Sequence, residues 1–596
     1  MNESKHLYNF GIVGNCSFMS YVDLNANVVW QCWPRFDSSF IFGGLLDQSK
    51  GGEFSISPQK NFSSRQYYLS NTNILVTHFE CEDGEYRVID FAPRFRNFDR
   101  NHRPLALYRK VELIKGAPLI KVVCNPVGEY GNIRGEKNIG SNSINFHGLE
   151  KAVRLTTNAS LTHIEDEAKF SLTETKYFAL TWGNPLEAPL EQTAEDFLRR
   201  TREYWENWIR TSSIPGIFQE EVIRSALLLK LHQFEDTGAI IASGTTSLPE
   251  HPGSGRNWDY RYCWIRDSYF TLTALIGLGH FTEAEKYAHW LQNVIENNPD
   301  AIQPVYKISG DPHIPESELD LEGHCDNKPV RIGNDAYKQK QYDVYGQMIL
   351  SLEPLYTDLR VCNGSSAPDV NLIHNLLTQI QEVIDSPDSG IWEFRGIAQR
   401  HTESFLFHWA GGKAAKKIGK KVGDKKLIEA AEKVIEASVS QIEKCFDESK
   451  HAYGMSQENK ELNASEFLLV SMKYLTDIDK SKTHVRALEK ELKTNGDLIY
   501  RYLTKDDFGD TESTFLICAF WYAEALIDIN EEERAKEVFE SLIQKANHLG
   551  IFSEDICPKD FSQWGNVAQT YSHVGLINTA IKLSRKFNLP GFLIDS

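Results

Sequence analysis

Residues 257–267 read Asn257-Trp-Asp-Tyr-Arg-Tyr-Cys-Trp-Ile-Arg-Asp267, and an apolar helical run begins at Ser268. Four aromatic rings, two arginines and two aspartates in so short a stretch make a poor core. They make a good sugar pocket, because flat rings match the C–H face of a pyranose while an adjacent Arg–Asp pair offers fork-like donors and two acceptor oxygens to its hydroxyls. An aromatic helix start with a surface ion pair, worth about 0–1 kcal/mol, fits the stretch equally well when it is taken alone. The surrounding chain decides between the two.

Downstream of the stretch the chain reads as helix and loop. Twelve amphipathic segments fall between residues 217 and 586, with a capping box expected at Thr282 and Glu285. Links from even-numbered to odd-numbered segments are short, whereas links from odd to even are long. Short links require antiparallel neighbours, so every long loop emerges at the same end. Six helical hairpins closed into a ring, an (α/α)6 barrel, satisfy this pattern, and loops of such length in a compact domain are usually functional.

The organising stretch lies at the end of the first long loop. The second loop contains Pro329-Val-Arg-Ile-Gly-Asn-Asp335, the third Pro387-Asp-Ser-Gly-Ile-Trp-Glu-Phe-Arg-Gly396 and the sixth Gly550-Ile-Phe-Ser-Glu-Asp555. Glu393 and Glu554 are thereby expected to meet at the Arg266–Asp267 end of the ring. Cleaving a glycosidic bond takes a carboxylic acid to protonate the leaving oxygen and a second carboxylate acting across the sugar. Glu393, between Trp392 and Phe394, has the apolar flanks that raise a carboxyl pKa and is expected to be the acid. Glu554, between Ser553 and Asp555, sits in a more polar run and is expected to stay ionised as the base.

Upstream the pattern changes. Residues 1–190 alternate with period two and are broken often by turn residues, as in Glu85-Tyr-Arg-Val-Ile-Asp90 and Lys176-Tyr-Phe-Ala-Leu-Thr-Trp182, which predicts an antiparallel β-sandwich domain. Residues 191–216 read as a linker helix ending at Ile214-Pro-Gly216, leaving 217–596 to the helical barrel. Trp30, Trp33 and Phe36 are expected in a structural turn of the first domain, and Trp205 and Trp208 in packing between domains.

Composition narrows the class. The 596 residues are too many for one core, and 64 basic against 82 acidic residues give a net charge of −18, which disfavours nucleic acid or an anionic membrane as partner. A small or oligomeric neutral sugar fits better. The N-terminus shows no signal-peptide pattern and no run approaches a membrane span, so a cytoplasmic location is expected. Ten cysteines without a Cys-x-x-Cys pair are expected as reduced thiols. The histidines lack ligand spacing, so no metal or cofactor is expected.

Several motifs occur in order along the chain: Gly11-Ile-Val-Gly-Asn15, Cys32-Trp-Pro-Arg-Phe-Asp-Ser38, Thr245-Thr-Ser-Leu-Pro-Glu250, Tyr262-Cys-Trp-Ile-Arg-Asp267, Val330-Arg-Ile-Gly-Asn334, Ile391-Trp-Glu393 and Ser572-His-Val-Gly-Leu-Ile577. In these the chain resembles the prokaryotic members of glycoside hydrolase family 15, the glucoamylase family. The resemblance implies a β-super-sandwich followed by an (α/α)6 barrel, and hydrolysis of α-glucosidic bonds with inversion. By the family motifs Glu393 is similar to the general acid and Glu554 to the general base. Arg266 and Asp267 match the pair that holds the terminal glucose, Tyr260, Trp264 and Trp392 line its subsite, and Arg395 and Arg331 are looser matches. The segment from His401 to Lys417, with Thr402-Glu-Ser-Phe-Leu-Phe-His-Trp-Ala-Gly-Gly412 within it, departs from the family pattern and leaves the outer subsites open. The expected activity is release of β-glucose from α-1,4-linked glucans or maltooligosaccharides. The alternatives are an α,α-trehalase, an isomaltose or dextran glucosidase, an inverting disaccharide phosphorylase and a non-catalytic sugar-binding protein.

Overall fold

Alternation of apolar and polar residues builds the first part of the computed structural model, which describes residues 5–186, 188–298, 302–361 and 369–587. The ends of the expected first and last domains, 1–4 and 588–596, and Cys362 lie outside these residues. An eight-stranded antiparallel sheet runs in the order Glu136–Ile139, Ser143–His147, Val153–Thr157, Lys176–Trp182, Ala106–Gly116, Gly84–Phe91, Leu75–Cys81 and Phe62–Tyr68. Its inner face meets a four-stranded sheet and a three-stranded sheet across a core that includes Phe18, Phe54, Ile56, Phe79, Val88 and Leu180. Arg109 crosses this core fully buried: it pairs with Asp90 at 2.7 Å and donates to the carbonyls of Phe54 and Ala26 in the opposing layer. Each of its charged nitrogens therefore has an acceptor where water is excluded.

The linker helix, Leu190–Arg210, leads from this sandwich to twelve α-helices among the described residues. These are α1 (Gln219–His232), α2 (Ile265–Gly277), α3 (Phe281–Asn297), α4 (Asp343–Thr357), α5 (Asn371–Val383), α6 (Thr402–Val422), α7 (Lys425–Glu443), α8 (Leu468–Ser471, entered through a 3-10 turn), α9 (Ile478–Leu492), α10 (Leu516–Asp528), α11 (Glu532–Ile543) and α12 (Thr570–Lys586). Even-numbered helices pack in succession from α2 to α12, and α12 returns to α2, closing an inner ring. Odd-numbered helices lie outside it. The burial patterns explain the two layers: α10 is buried from Leu516 through Ile527, whereas α5 buries only Ile373, Leu376, Leu377 and Ile380, one helical stripe. Close approach in the inner ring needs glycine at one crossing, since a Cβ on Gly346 of α4 would lie 2.0 Å from the Phe407 carbonyl oxygen of α6. The divergent segment from Thr402 is thus the buried start of an inner helix. The Thr282 capping box does not form, because α3 begins at Phe281 and Thr282 is already inside it.

The two parts share a buried seam. Trp30 donates to the Gly244 carbonyl at 2.8 Å, Phe36 meets Phe234 edge-on, and Arg94 pairs with Glu235 at 2.7 Å. Trp33 packs within the sandwich core. Trp205 is fully buried and Trp208 stacks on His280 at 3.8 Å, so these four tryptophans are packing residues, with Trp30 on the strand Val28–Cys32 and not in the expected turn. The described cysteines are unpaired thiols. No helix among the described residues is long and apolar enough to cross a membrane. Asp90→Ala, which strands Arg109 without its counter-ion, is expected to destabilise the sandwich by about 3–5 kcal/mol, read as a lower first transition in thermal and urea unfolding.

Candidate active site

At the loop end of the barrel a cavity is lined from the first, second, third, fifth and sixth long loops and from the first turns of the inner helices. Eight of the nine sequence candidates line it: Tyr260, Trp264, Arg266, Asp267, Trp392, Glu393, Arg395 and Glu554. The ninth, Arg331, stands behind the wall, donating to the Gly255 and Asn257 carbonyls and pairing with Glu316 at 3.4 Å. Among the described residues, none of the β-sandwich lines the cavity.

Within the organising stretch, neighbouring residues divide the work by direction. Asp259 and Arg261 form a buried pair at 2.7 Å on the side facing the sandwich, where Arg261 also donates to the Ser38 carbonyl and the Tyr130 hydroxyl. Tyr260, between them, lines the cavity and donates its hydroxyl to Glu554 Oε1 at 2.7 Å. Trp264 donates its indole N–H to Glu393 Oε1, also at 2.7 Å. The Tyr260 and Trp264 rings meet edge-on at 5.5 Å, so one short stretch holds both carboxyl groups.

Glu393 owes its position to backbone as well as side chain. Its φ of 59° is left-handed, a conformation that costs a residue with a Cβ about 1–2 kcal/mol, and it is held by Gln339, which donates to the Glu393 carbonyl at 3.0 Å. Arg266 and Gln341 add donors to the same Oε1 at 3.0 and 3.2 Å. Oε2 carries no protein hydrogen bond among the described residues. The apolar flank expected to shield this carboxyl does something else: Trp392 packs against Tyr502, Phe515 and Trp521, and Phe394 against Tyr502 and His401, anchoring the loop while polar donors surround the carboxyl.

Glu554 also differs from its sequence reading. It lies on a short strand, Ser553–Ile556, that is buried throughout, and the side chain is 1% exposed. Burial, followed by the charges of Asp555 and Glu250, pushes its carboxyl well above the ordinary range, with Tyr260 and Arg501 opposing. Sequence neighbours such as Ser553 did not reveal this, because the burying groups come from other loops. Behind it Gly565, at φ 74°, leaves no space: a Cβ there would lie 2.7 Å from Glu554 Oε2.

Arg266 forks between Gln341 at 2.6 Å and Asp343 at 3.3 Å while holding Glu393. Asp267 is buried, and burial pushes it up to about 7, with Arg266 opposing and Glu393 adding to the rise. Its side chain accepts no hydrogen bond from another of the described residues. This carboxyl is an open acceptor in the cavity wall.

The mouth carries a collar that sequence reasoning largely missed. Arg256 grips Asp506 through two bonds of 2.6 Å, Arg395 pairs with Glu316 at 2.8 Å, and Arg395 and Arg331 both lie over the Trp258 ring, which meets Phe508 at 5.2 Å. Glu250 accepts from Arg501 and from Trp258 at 3.3 Å. Trp258 and Glu250 belonged to motifs already noted, but residues 501–508 carry no local signal.

The family model described as Glycosyl hydrolases family 15 matches residues 216–581, and one described as Trehalase-like, N-terminal matches residues 2–176. A trehalase of Mycolicibacterium smegmatis is 32% identical over 97% of this chain and 91% of its own length. A trehalase of Thermoplasma volcanium is 30% identical over 96% and 93%. A bacterial glucoamylase solved in complex with acarbose shares the fold, with a TM-score of 0.69 at 15% identity over 98% of this chain and 94% of that one. With the family model covering most of the barrel and relatives above 30% identity aligned nearly end to end, the chain belongs to family 15 of the glycoside hydrolases.

Proposed function

We propose that the protein hydrolyses α,α-trehalose with inversion, Glu393 acting as general acid and Glu554 as general base. The observation that carries the chemistry is the fixing of two carboxyl groups in one cavity by Tyr260 and Trp264, next to an Arg–Asp pair suited to a terminal glucose. Glu393 has its proton site on Oε2, since three donors occupy Oε1. Its proton goes to the glycosidic oxygen as the C–O bond breaks. Glu554 takes a proton from the water that attacks the anomeric carbon from the other side, leaving that carbon as the β-anomer. Arg266 and Asp267 orient the hydroxyls of the glucose being cleaved, so the reacting carbon is held in place before the bond breaks.

The choice of trehalose rests on two supports. Relatives named trehalase align along nearly the whole chain, sandwich included, whereas a glucoamylase of Clostridium aligns over 32% of it at 23% identity and the solved bacterial glucoamylase shares the fold at 15% identity. In addition, the charged collar of Arg256, Asp506, Arg395 and Glu316 suits a single compact hydroxyl-rich second sugar better than a continuing glucan chain. The maltooligosaccharide activity first expected from the motifs is the reading this displaces. Trehalose, maltose, maltoheptaose and isomaltose are expected to differ, with glucose released from trehalose and the fresh product an equal mixture of α- and β-glucose by proton NMR. Glu554→Gln is expected to lower kcat by about 10²–10⁴-fold. Release from maltoheptaose in preference to trehalose would return the function to glucoamylase.

The pH dependence has a defined sign. Glu554 must be ionised to act, and the Tyr260 hydroxyl lowers its raised pKa. Tyr260→Phe therefore raises that pKa further, and the acidic limb of the kcat/KM profile is expected to move up by about one unit, the worth of one charge-assisted hydrogen bond. An unmoved limb with an equal loss at every pH would remove Glu554 from that role.

A further inference from the structure

Away from the catalytic cavity, His6 and His324 face one another across the seam between the N-terminal segment and the loop joining α3 to α4. His6 Nδ1 lies 2.7 Å from the Gln563 carbonyl oxygen, and His324 Nδ1 lies 3.0 Å from that of Leu45. A carbonyl only accepts, so each ring carries its proton at Nδ1 and presents a lone pair at Nε2. The two Nε2 atoms are 3.1 Å apart. Two lone pairs at that distance repel unless a positive centre lies between them. Cys325 adds a sulfur, the three candidate ligand atoms lying within 4.8 Å of one another.

We infer that His6, His324 and Cys325 form a binding site for a divalent transition metal of the zinc type. The geometry needs little adjustment. Ligand nitrogens at about 2.0–2.1 Å from a tetrahedral zinc lie about 3.3 Å apart, close to the separation already present, and Cys325 is exposed and reaches the ion by turning about its own χ1. Two neutral imidazoles and a thiolate select zinc or cobalt over magnesium or calcium, which prefer oxygen ligands. The backbone carbonyls on both Nδ1 atoms are the supports that orient metal-binding histidines. The rings are also held by packing, His6 stacking on Trp564 at 4.1 Å and meeting Tyr8 edge-on at 5.1 Å. A fourth position is left for water.

The site lies outside the reaction centre, and its role is to fasten the chain. It would tie the segment at His6 to the loop at His324 and Cys325, and so hold in place the His6 ring that bonds the Gln563 carbonyl of the strand Gln563–Val567, which carries Gly565 behind Glu554. The absence of metal-ligand spacing in the sequence is no obstacle, because the two histidines are 318 residues apart.

The test uses untagged full-length protein stripped with a chelator and titrated with Co²⁺, then with Zn²⁺ in competition. Uptake of one cobalt per chain is expected, with the visible bands of a tetrahedral site and a thiolate charge-transfer band, both bleached by zinc. Cys325→Ser is expected to lose the charge-transfer band while still binding. His6→Ala and His324→Ala are expected to weaken binding by about tenfold or more, with unchanged circular dichroism showing that they fold. Failure of the stripped wild type to take up cobalt, or wild-type affinity in both histidine variants, overturns the assignment, and the former leaves a shared proton as what joins the two rings.

Discussion

The buried Asp259–Arg261 pair is the interaction on which the site depends. Taking an aspartate and an arginine fully out of water costs several kcal/mol per ion, and the pair is sustained only if every remaining donor and acceptor is matched. Here the matching groups come from separate parts of the molecule: the Ser38 carbonyl and Tyr130 hydroxyl of the sandwich, and the Gly333 amide of the second long loop. The pair thereby fixes the sandwich, the first loop and the second loop to one another. With Asp259 and Arg261 committed to that side, Tyr260 is left to line the cavity, and the carboxyl of Glu554 is set by it. The sandwich contributes to the site without touching the cavity.

A second constraint is the number of acids confined in a small, dry volume. Glu554, Asp555 and Glu250 share the barrel end with the guanidinium groups of Arg501 and Arg256, and burial pushes Asp555 up to about 8. The carboxyls of Glu554 and Asp555, each raised by burial and by the charges around it, are too close to ionise independently. Arg266 plays the corresponding part on the other wall, standing among Asp343, Glu393 and Asp267. A cavity arranged in this way offers a neutral sugar many acceptors.

Much of this architecture was legible in the chain. Stripes such as Ile373, Leu376, Leu377 and Ile380 mark an outer helix, the unbroken apolar run in Leu516–Asp528 marks an inner one, and alternating short and long links imply that the long loops gather at one end. From that gathering alone, Glu393 and Glu554 are brought to Arg266 and Asp267. Local flanks were a poorer guide. Trp392 and Phe394 pack against other rings and anchor the loop while polar donors meet the Glu393 carboxyl, and the polar neighbours of Glu554 do not keep it wet. Arg331 sits in a loop of the right kind yet acts behind the wall, while Arg501, Asp506 and Phe508 line the cavity from a loop with no distinguishing pattern.

The division has a physical basis. Periodicity reports which face of an element is buried, and connection length reports which ends are neighbours; both are properties of contiguous residues, so the sequence by itself determined the sandwich, the ring of hairpins and the end at which the long loops and the candidate carboxyls gather. A carboxyl's pKa, the direction of a guanidinium and the meeting of His6 with His324 depend on groups hundreds of residues apart in the chain. Those were decided only when the ring closed and the sandwich docked against it, because desolvation and Coulomb interaction act through space and take no account of sequence distance.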